Sequence, residues 1–393
     1  MSTTATPSAP AERSWSRPML PRSTTEAHRA ATPLELLFDL CFVVAVAQAG
    51  GRLHHALSEK HLAQGVVGYG MVFFAIWWAW MNFTWFASAY DCDDVPYRLA
   101  TLVQIAGALI LAAGVPQAFD ARDFAVVTLG YVVMRLALIA QWLRAARADA
   151  SGRRTALRFA AGVSACQAGW VALLALPAGW YPLGWLVMAA AELLVPIWAE
   201  AAARTAWNPR HIAERYGLFT LIVLGDSVLA ATTAIQSALD ARQATAGLFA
   251  VAAGGLLTVF AMWWLYFAKP ADRLLVSSRV GFIWGYGHLL IWASAAALGA
   301  GLAVGVDRAT GQADLSARLA GAAVTVPVAV YLLTVWVLHL GPHHTGPARV
   351  RALPLTAAAL ILAATATGQP VLITGLLLAA LVAVSTLTAA RTA

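Results

Sequence analysis

Arg135, Glu192, Asp226 and His288 each stand inside a stretch of chain otherwise too apolar for water. A charged side chain at bilayer depth costs roughly 2.5–3.5 kcal/mol on insertion scales, so one that stays there has a partner or a task. Asp39, near the start of the first apolar run, joins them. Carboxylates, a guanidinium and an imidazole in a dry interior can exchange protons, hold an ion or form a fixed ion pair. Nothing in their spacing encodes a metal ligand set, a phosphate cradle or a sugar-binding pattern, so the expected metal and cofactor content is none.

Thr32-Pro33-Leu34-Glu35 reads as a helix start: Thr as N-cap, Pro at the first helical position, Glu closing a capping box. Capping alone accounts for Glu35. It does not reach Asp39, which lies four residues on, on the same face and about 6 Å deeper. Asp226 sits about nine residues into its run, ~13 Å deep, between Gly225 and Ser227. Arg135 lies mid-run and keeps its proton, so it needs an acceptor, and Asp226 or Asp39 is the expected partner. The plain alternative is a static ion pair that sets helix register. Glu192 precedes Pro196, which frees a backbone carbonyl one turn earlier. His288, beside Tyr286 and Trp284, is either a hydrogen-bonded neutral imidazole or part of a proton relay. Asp91-Cys92-Asp93-Asp94 has the D-x-D-D spacing of protonation-initiated terpene cyclases, but its surroundings are unlike those soluble barrels. Solvated loop acids, or a gate salt bridge with Arg98, are expected instead. His339, His343 and His344 lack a carboxylate or Cys nearby and read as a wet loop.

The elements holding these residues are apolar runs of about 20 residues, the length that crosses a hydrocarbon core as helix. Of 393 residues, 60% are hydrophobic and 11% charged, and the mean hydropathy is +0.70. Twelve spans are expected, near 34–52, 62–87, 98–117, 124–144, 157–177, 180–200, 217–238, 245–268, 279–305, 316–340, 350–367 and 369–389. The net charge of +7 does not point to nucleic acid, because the cations fall in alternate gaps. Nineteen of the 26 Lys and Arg residues lie on one side and six on the other, Arg135 being the remaining one. The positive-inside rule then puts both termini in the cytoplasm of a multi-pass plasma-membrane protein. Residues 1–31 contain no apolar run and read as a disordered cytoplasmic tail. Cys41, Cys92 and Cys166 form no disulfide or metal spacing.

An internal repeat is expected. Leu37-Phe38-Asp39 precedes Trp77-Trp78-Ala79-Trp80 by nearly the distance that separates Gly225-Asp226-Ser227 from Trp263-Trp264-Leu265-Tyr266, and Tyr131 and Tyr331 stand in like places. The fold class is therefore all-α and polytopic, in two parallel six-helix halves, 32–215 and 216–393. Such repeats are common in secondary transporters, with the site at their interface. The Trp pairs read as interfacial anchors.

Two stretches carry a family resemblance. Glu35-Leu36-Leu37-Phe38-Asp39-Leu40-Cys41-Phe42-Val43 is similar to E-L-F-F-D-L-V-F-V. His211-Ile212-Ala213-Glu214-Arg215-Tyr216-Gly217-Leu218-Phe219, followed by Leu224-Gly225-Asp226-Ser227, is similar to H-F-x-E-R-H/F-G-L-F-x-I-I-x-L-G-E-S. Both resemble the bacterial low temperature requirement protein A family over about residues 30–390. Asp226 replaces a usual Glu, and Ala268 a usual Asp after Trp263–Phe267. The resemblance implies a many-helix bacterial membrane protein. It adds weight to Glu35, Asp39, Glu214, Arg215 and Asp226 without supplying a reaction. Glu214-Arg215 are expected at the cytoplasmic mouth of a helix, where an isolated pair contributes little.

The favoured reading is a transporter-like protein in the lipid bilayer, moving a small solute or ion with protons as the coupling species. Asp39, Asp226, Arg135, Glu35, Glu192, His288, Glu214 and Arg215 form its expected binding site, and no residue is assigned a catalytic role. A membrane-embedded enzyme acting on a lipid or prenyl substrate, and a non-catalytic scaffold or sensor, are the alternatives.

Overall fold

The computed structural model describes residues 15–24, 26, 29–177, 179–243, 245–343 and 348–390. Among them are twelve α-helices and no strand: α1 (Pro33–Ser58), α2 (Leu62–Tyr90), α3 (Val95–Asp120), α4 (Ala125–Ala148), α5 (Arg153–Leu173), α6 (Tyr181–Glu200), α7 (Pro209–Asp240), α8 (Ala246–Phe267), α9 (Ser278–Ala309), α10 (Ala317–Val335), α11 (Ala348–Ala364) and α12 (Pro370–Ala390). Helices satisfy their own backbone groups, which is what an apolar run requires in lipid. Eleven are long and apolar enough to span a membrane; the apolar part of α11, Ala352–Ala364, is shorter. The largest departure from the expected boundaries is at α7, which begins at Pro209 rather than 217. Asn208 caps it by accepting from the Arg210 and His211 amides, and Pro209 occupies the first turn.

α9 is the most enclosed span, and α1, α7 and α10 pack against it. Small residues make the close approaches, as expected where no hydrophobic force pulls one membrane helix onto another. A Cβ on Gly130 of α4 would fall 2.6 Å from the Gly107 carbonyl oxygen of α3, and one on Gly301 of α9 2.1 Å from the Ala323 carbonyl oxygen of α10. α1 packs on α3 and α3 on α4, much as α7 packs on α9 and α9 on α10. Elsewhere the first six helices and the last six differ. α12 lies closely on α8, whereas α6 reaches α2 through long side chains such as Trp185 on Phe74.

Part of the segment expected to be a disordered tail lies on the bundle. Met19 is 1% exposed within a cluster that includes Phe86, Tyr97 and Trp142. The Arg22 amide donates to the Ala89 carbonyl, and the Val95 amide to that of Trp15. Helix ends supply unpaired backbone groups, and this strap satisfies some of them.

Candidate functional site

Helices α1 and α7 start alike and run side by side in one direction. Each has a capping residue, Thr32 or Asn208, followed by proline. Glu35 and His211 each stand two residues past that proline, Asp39 and Arg215 six. Two acids of one helix therefore meet two bases of the other at matching heights. His211 Nε2 lies 3.1 Å from Glu35 Oε1, and Arg215 Nη1 2.8 Å from the same oxygen. Arg215 also grips Asp39 with two nitrogens, Nη2 to Oδ1 at 2.6 Å and Nε to Oδ2 at 3.2 Å. Trp80 of α2 donates to Asp39 Oδ1 at 2.7 Å. All five side chains are buried. Glu35 also closes the capping box with Thr32, so the local role and the long-range one coexist. Two carboxylates face one guanidinium, and the set is neutral when it holds one further proton, on the imidazole or a carboxyl.

The strap covers this network. Arg29 donates to the carbonyls of Ala87 and Ser88 at the end of α2, and the Ala31 amide to Glu214. Asp93, in the loop between α2 and α3, forms the expected exposed ion pair with Arg98 of α3 at 2.7 Å. The rest of that loop is not solvated. Asp94 caps α3 and accepts from Arg144 at 2.6 Å and the Arg17 amide at 2.8 Å. Burial pushes the Asp94 carboxyl up, but those bonds outweigh it and leave it below the ordinary range. Asp91 is buried near Arg22. Burial, with the Glu35 carboxylate adding to it, raises Asp91 to about 6 against partial opposition from Arg29 and Arg22.

A second network lies between α2, α4, α5 and α6. Arg135 meets Glu192, not Asp39 or Asp226, with Nη2 3.1 Å from Oε1. Trp170 donates to the same oxygen at 3.0 Å and Trp78 to Oε2 at 2.8 Å. Arg135 and Glu192 are fully buried. Two cavities, partly open to the outside, flank this cluster and share Trp78 as a wall. Along α2 the first touches Met71 to Trp78 and the second Trp78 to Phe86; along α4 they touch Val127 to Tyr131 and then Trp142. On α6 the order is Tyr181 and Trp185, then Pro196 and Glu200, with Glu192 between. The cavities thus stack end to end along the helices, with the Trp78–Glu192–Arg135 cluster at the level where they meet.

A third cluster surrounds His288. Its Nδ1 lies 2.7 Å from the Trp284 carbonyl, which only a protonated Nδ1 can contact as donor, so Nε2 accepts from Tyr266 at 2.9 Å. His339 Nε2 lies 3.4 Å from that nitrogen. His339 was expected in a wet loop and is instead buried. A π-helical turn, Trp336–Leu340, carries it there at the end of α10. The backbone at His343 closes that end in a short 3-10 turn, and His344 lies outside the described residues.

Several expectations need correcting. Asp226 does not converge with Asp39. It stands 11 residues past Arg215, about 16 Å along α7, and among the described residues it has no hydrogen-bond or ion-pair partner. Arg215 is not at a solvated mouth but fully buried, because α7 starts eight residues early; Glu214, about 100° round the helix, is exposed. Trp77, Trp78 and Trp80 are core residues and not interfacial anchors, whereas Trp263 and Trp264 are half exposed. His211, Trp78, Trp80, Trp170 and Glu200 lie outside the site expected from the sequence. The signal for His211 was present in the matching distances of Glu35 and His211 from their helix-starting prolines.

The family model described as "Bacterial low temperature requirement A protein (LtrA)" matches residues 30–389. A relative, "Uncharacterized protein RA0937" of Rhizobium meliloti (strain 1021), is 28% identical over 291 residues, covering 69% of this chain and 68% of that protein.

Proposed function

The chain belongs to the bacterial low temperature requirement A family, and from that premise we propose that it is a transporter-like protein of the bacterial plasma membrane whose solute path runs between α2, α4, α5 and α6. The observation that carries this is the pair of stacked cavities meeting at Trp78 beside a buried Arg135–Glu192 pair. A fixed strut needs no cavity on either side. Glu192 receives three donors, and charge-assisted bonds of this kind are strong while the acceptor stays ionised. A proton arriving on Glu192 weakens the hold on Trp78, Trp170 and Arg135 together, and Arg135, which keeps its own proton, must then find another acceptor. Release of Trp78 joins the two cavities, so protonation and opening are coupled. By the distribution of Lys and Arg, the end bearing the strap faces the cytoplasm. The similar neighbour patterns of α1–α3–α4 and α7–α9–α10 support, in part, two related halves. The Glu35–Asp39–Arg215–His211 network fastens one half to the other.

Purified protein in liposomes loaded with a pH-sensitive dye tests this. An imposed pH gradient should collapse faster than in empty liposomes, and Glu192→Gln should return the rate to that baseline while remaining folded. Wild-type vesicles no leakier to protons than empty ones, with or without small solutes outside, sink the reading.

A further inference from the structure

The cavity at the strap end has an unusual wall. Trp78, Trp85, Phe86, Trp142, Phe159 and Phe282 supply six aromatic rings around it. Asn82 Nδ2, on this wall, donates to the Trp78 carbonyl at 2.7 Å. The wall's one hydroxyl, that of Thr205, donates to Glu200 Oε1 at 2.5 Å. The carboxylate keeps an unused oxygen: Glu200 Oε2 is buried and accepts no hydrogen bond. No arginine or lysine among the described residues pairs with Glu200.

From this geometry we infer that the cavity binds a lipophilic organic cation of the quaternary ammonium type, with Glu200 as its counter-charge. Aromatic faces attract cations, and an aromatic cage is the established means of holding a positive charge that has no N–H to donate. An anion meets ring faces and a carboxylate here, both repulsive. A sugar-like solute brings many hydroxyls to a wall made mostly of ring carbon. A neutral apolar molecule fits the rings but leaves Oε2 buried without a partner, which costs free energy. Glu192 lies eight residues back along α6, about 12 Å, so a cation leaving Glu200 meets a second carboxylate where the cavities join. As the identity of a transported solute the inference rests on the passage proposed above; as a binding site it is measured without flux.

Three probes of similar size separate the possibilities: benzyltrimethylammonium, benzyl alcohol and benzenesulfonate, titrated into the protein in lipid nanodiscs by calorimetry. The cation should bind saturably, and the neutral and anionic probes at least tenfold more weakly. Glu200→Gln should weaken cation binding at least tenfold and Glu200→Asp much less. Should Glu200→Gln not fold, Trp142→Leu, which removes a ring and leaves the carboxylate, should show a loss of similar direction. Equal binding of all three probes, no cation binding by folded protein, or full affinity in Glu200→Gln overturns the inference. Glu192-dependent proton flux without cation binding removes this ligand and leaves the passage standing; cation binding without flux does the reverse.

Discussion

Arg215 shows how little a charge's sequence neighbours say about its partners. Glu214 precedes it, yet points outward, while Glu35 and Asp39, about 180 residues away, hold it from two sides. Replacing Arg215 with Met leaves two buried carboxylates with one imidazole, and breaking a buried pair this way costs roughly 3–5 kcal/mol. Arg215→Met should therefore sharply lower the thermal unfolding midpoint in detergent. Adding Glu35→Gln and Asp39→Asn to that variant should restore much of the loss, while Glu214→Ala should change little. A triple variant no more stable than Arg215→Met shows that charge burial is not what the arginine relieves. That Glu35 and Asp39 share a face was legible from their spacing. Which arginine answers them was not, because both Arg135 and Arg215 lie in helices and only the packing of α1 on α7 chooses.

At the scale of the helix, two contacts set how closely spans approach: Gly130 of α4 on Gly107 of α3, and Gly301 of α9 on the backbone of α10. Gly130→Val puts side-chain carbon where backbone already stands, an overpacking that costs about 1–3 kcal/mol or more. Gly70, with open space around its Cα, is the control. Gly70→Ala should leave stability unchanged or raise it by about 0.5–1 kcal/mol through helix propensity. Equal effects at the two positions in a melting assay refute the close-packing account. The twelve runs were readable because apolar length alone reveals them. The start of α7 at Pro209 was not, because the first two turns of that helix are polar and resemble a loop until Asn208 is recognised as a cap.

The strap and the bundle behave as one unit, and Asp91 ties their stability to pH. Its carboxyl is raised to about 6 from an ordinary 3.8, so the folded state favours the protonated form. That contribution is complete below about pH 4 and is lost as pH climbs through 6, by up to about 3 kcal/mol. The melting midpoint of wild type should therefore fall, relative to Asp91→Asn, between pH 4 and 7. A constant difference across that range contradicts the burial of Asp91 by the strap. The loop acids looked solvated because Asp91 to Asp94 is a polar run between spans, and no local pattern reports that residues 15–24 fold back over it.

Composition and run length by themselves determined that this is an all-helical membrane protein, and the spacing of Glu35, Asp39 and the second motif picked out most of the charges that matter. Hydrophobicity acts residue by residue and survives without a fold, which is why a linear reading captures it. Only the tertiary structure decided that Arg135 belongs to Glu192, Arg215 to Glu35 and Asp39, and that two cavities meet at Trp78. A buried charge in lipid is satisfied by whichever opposite group the packing of helices brings within about 3 Å, and that choice is made across hundreds of residues of chain.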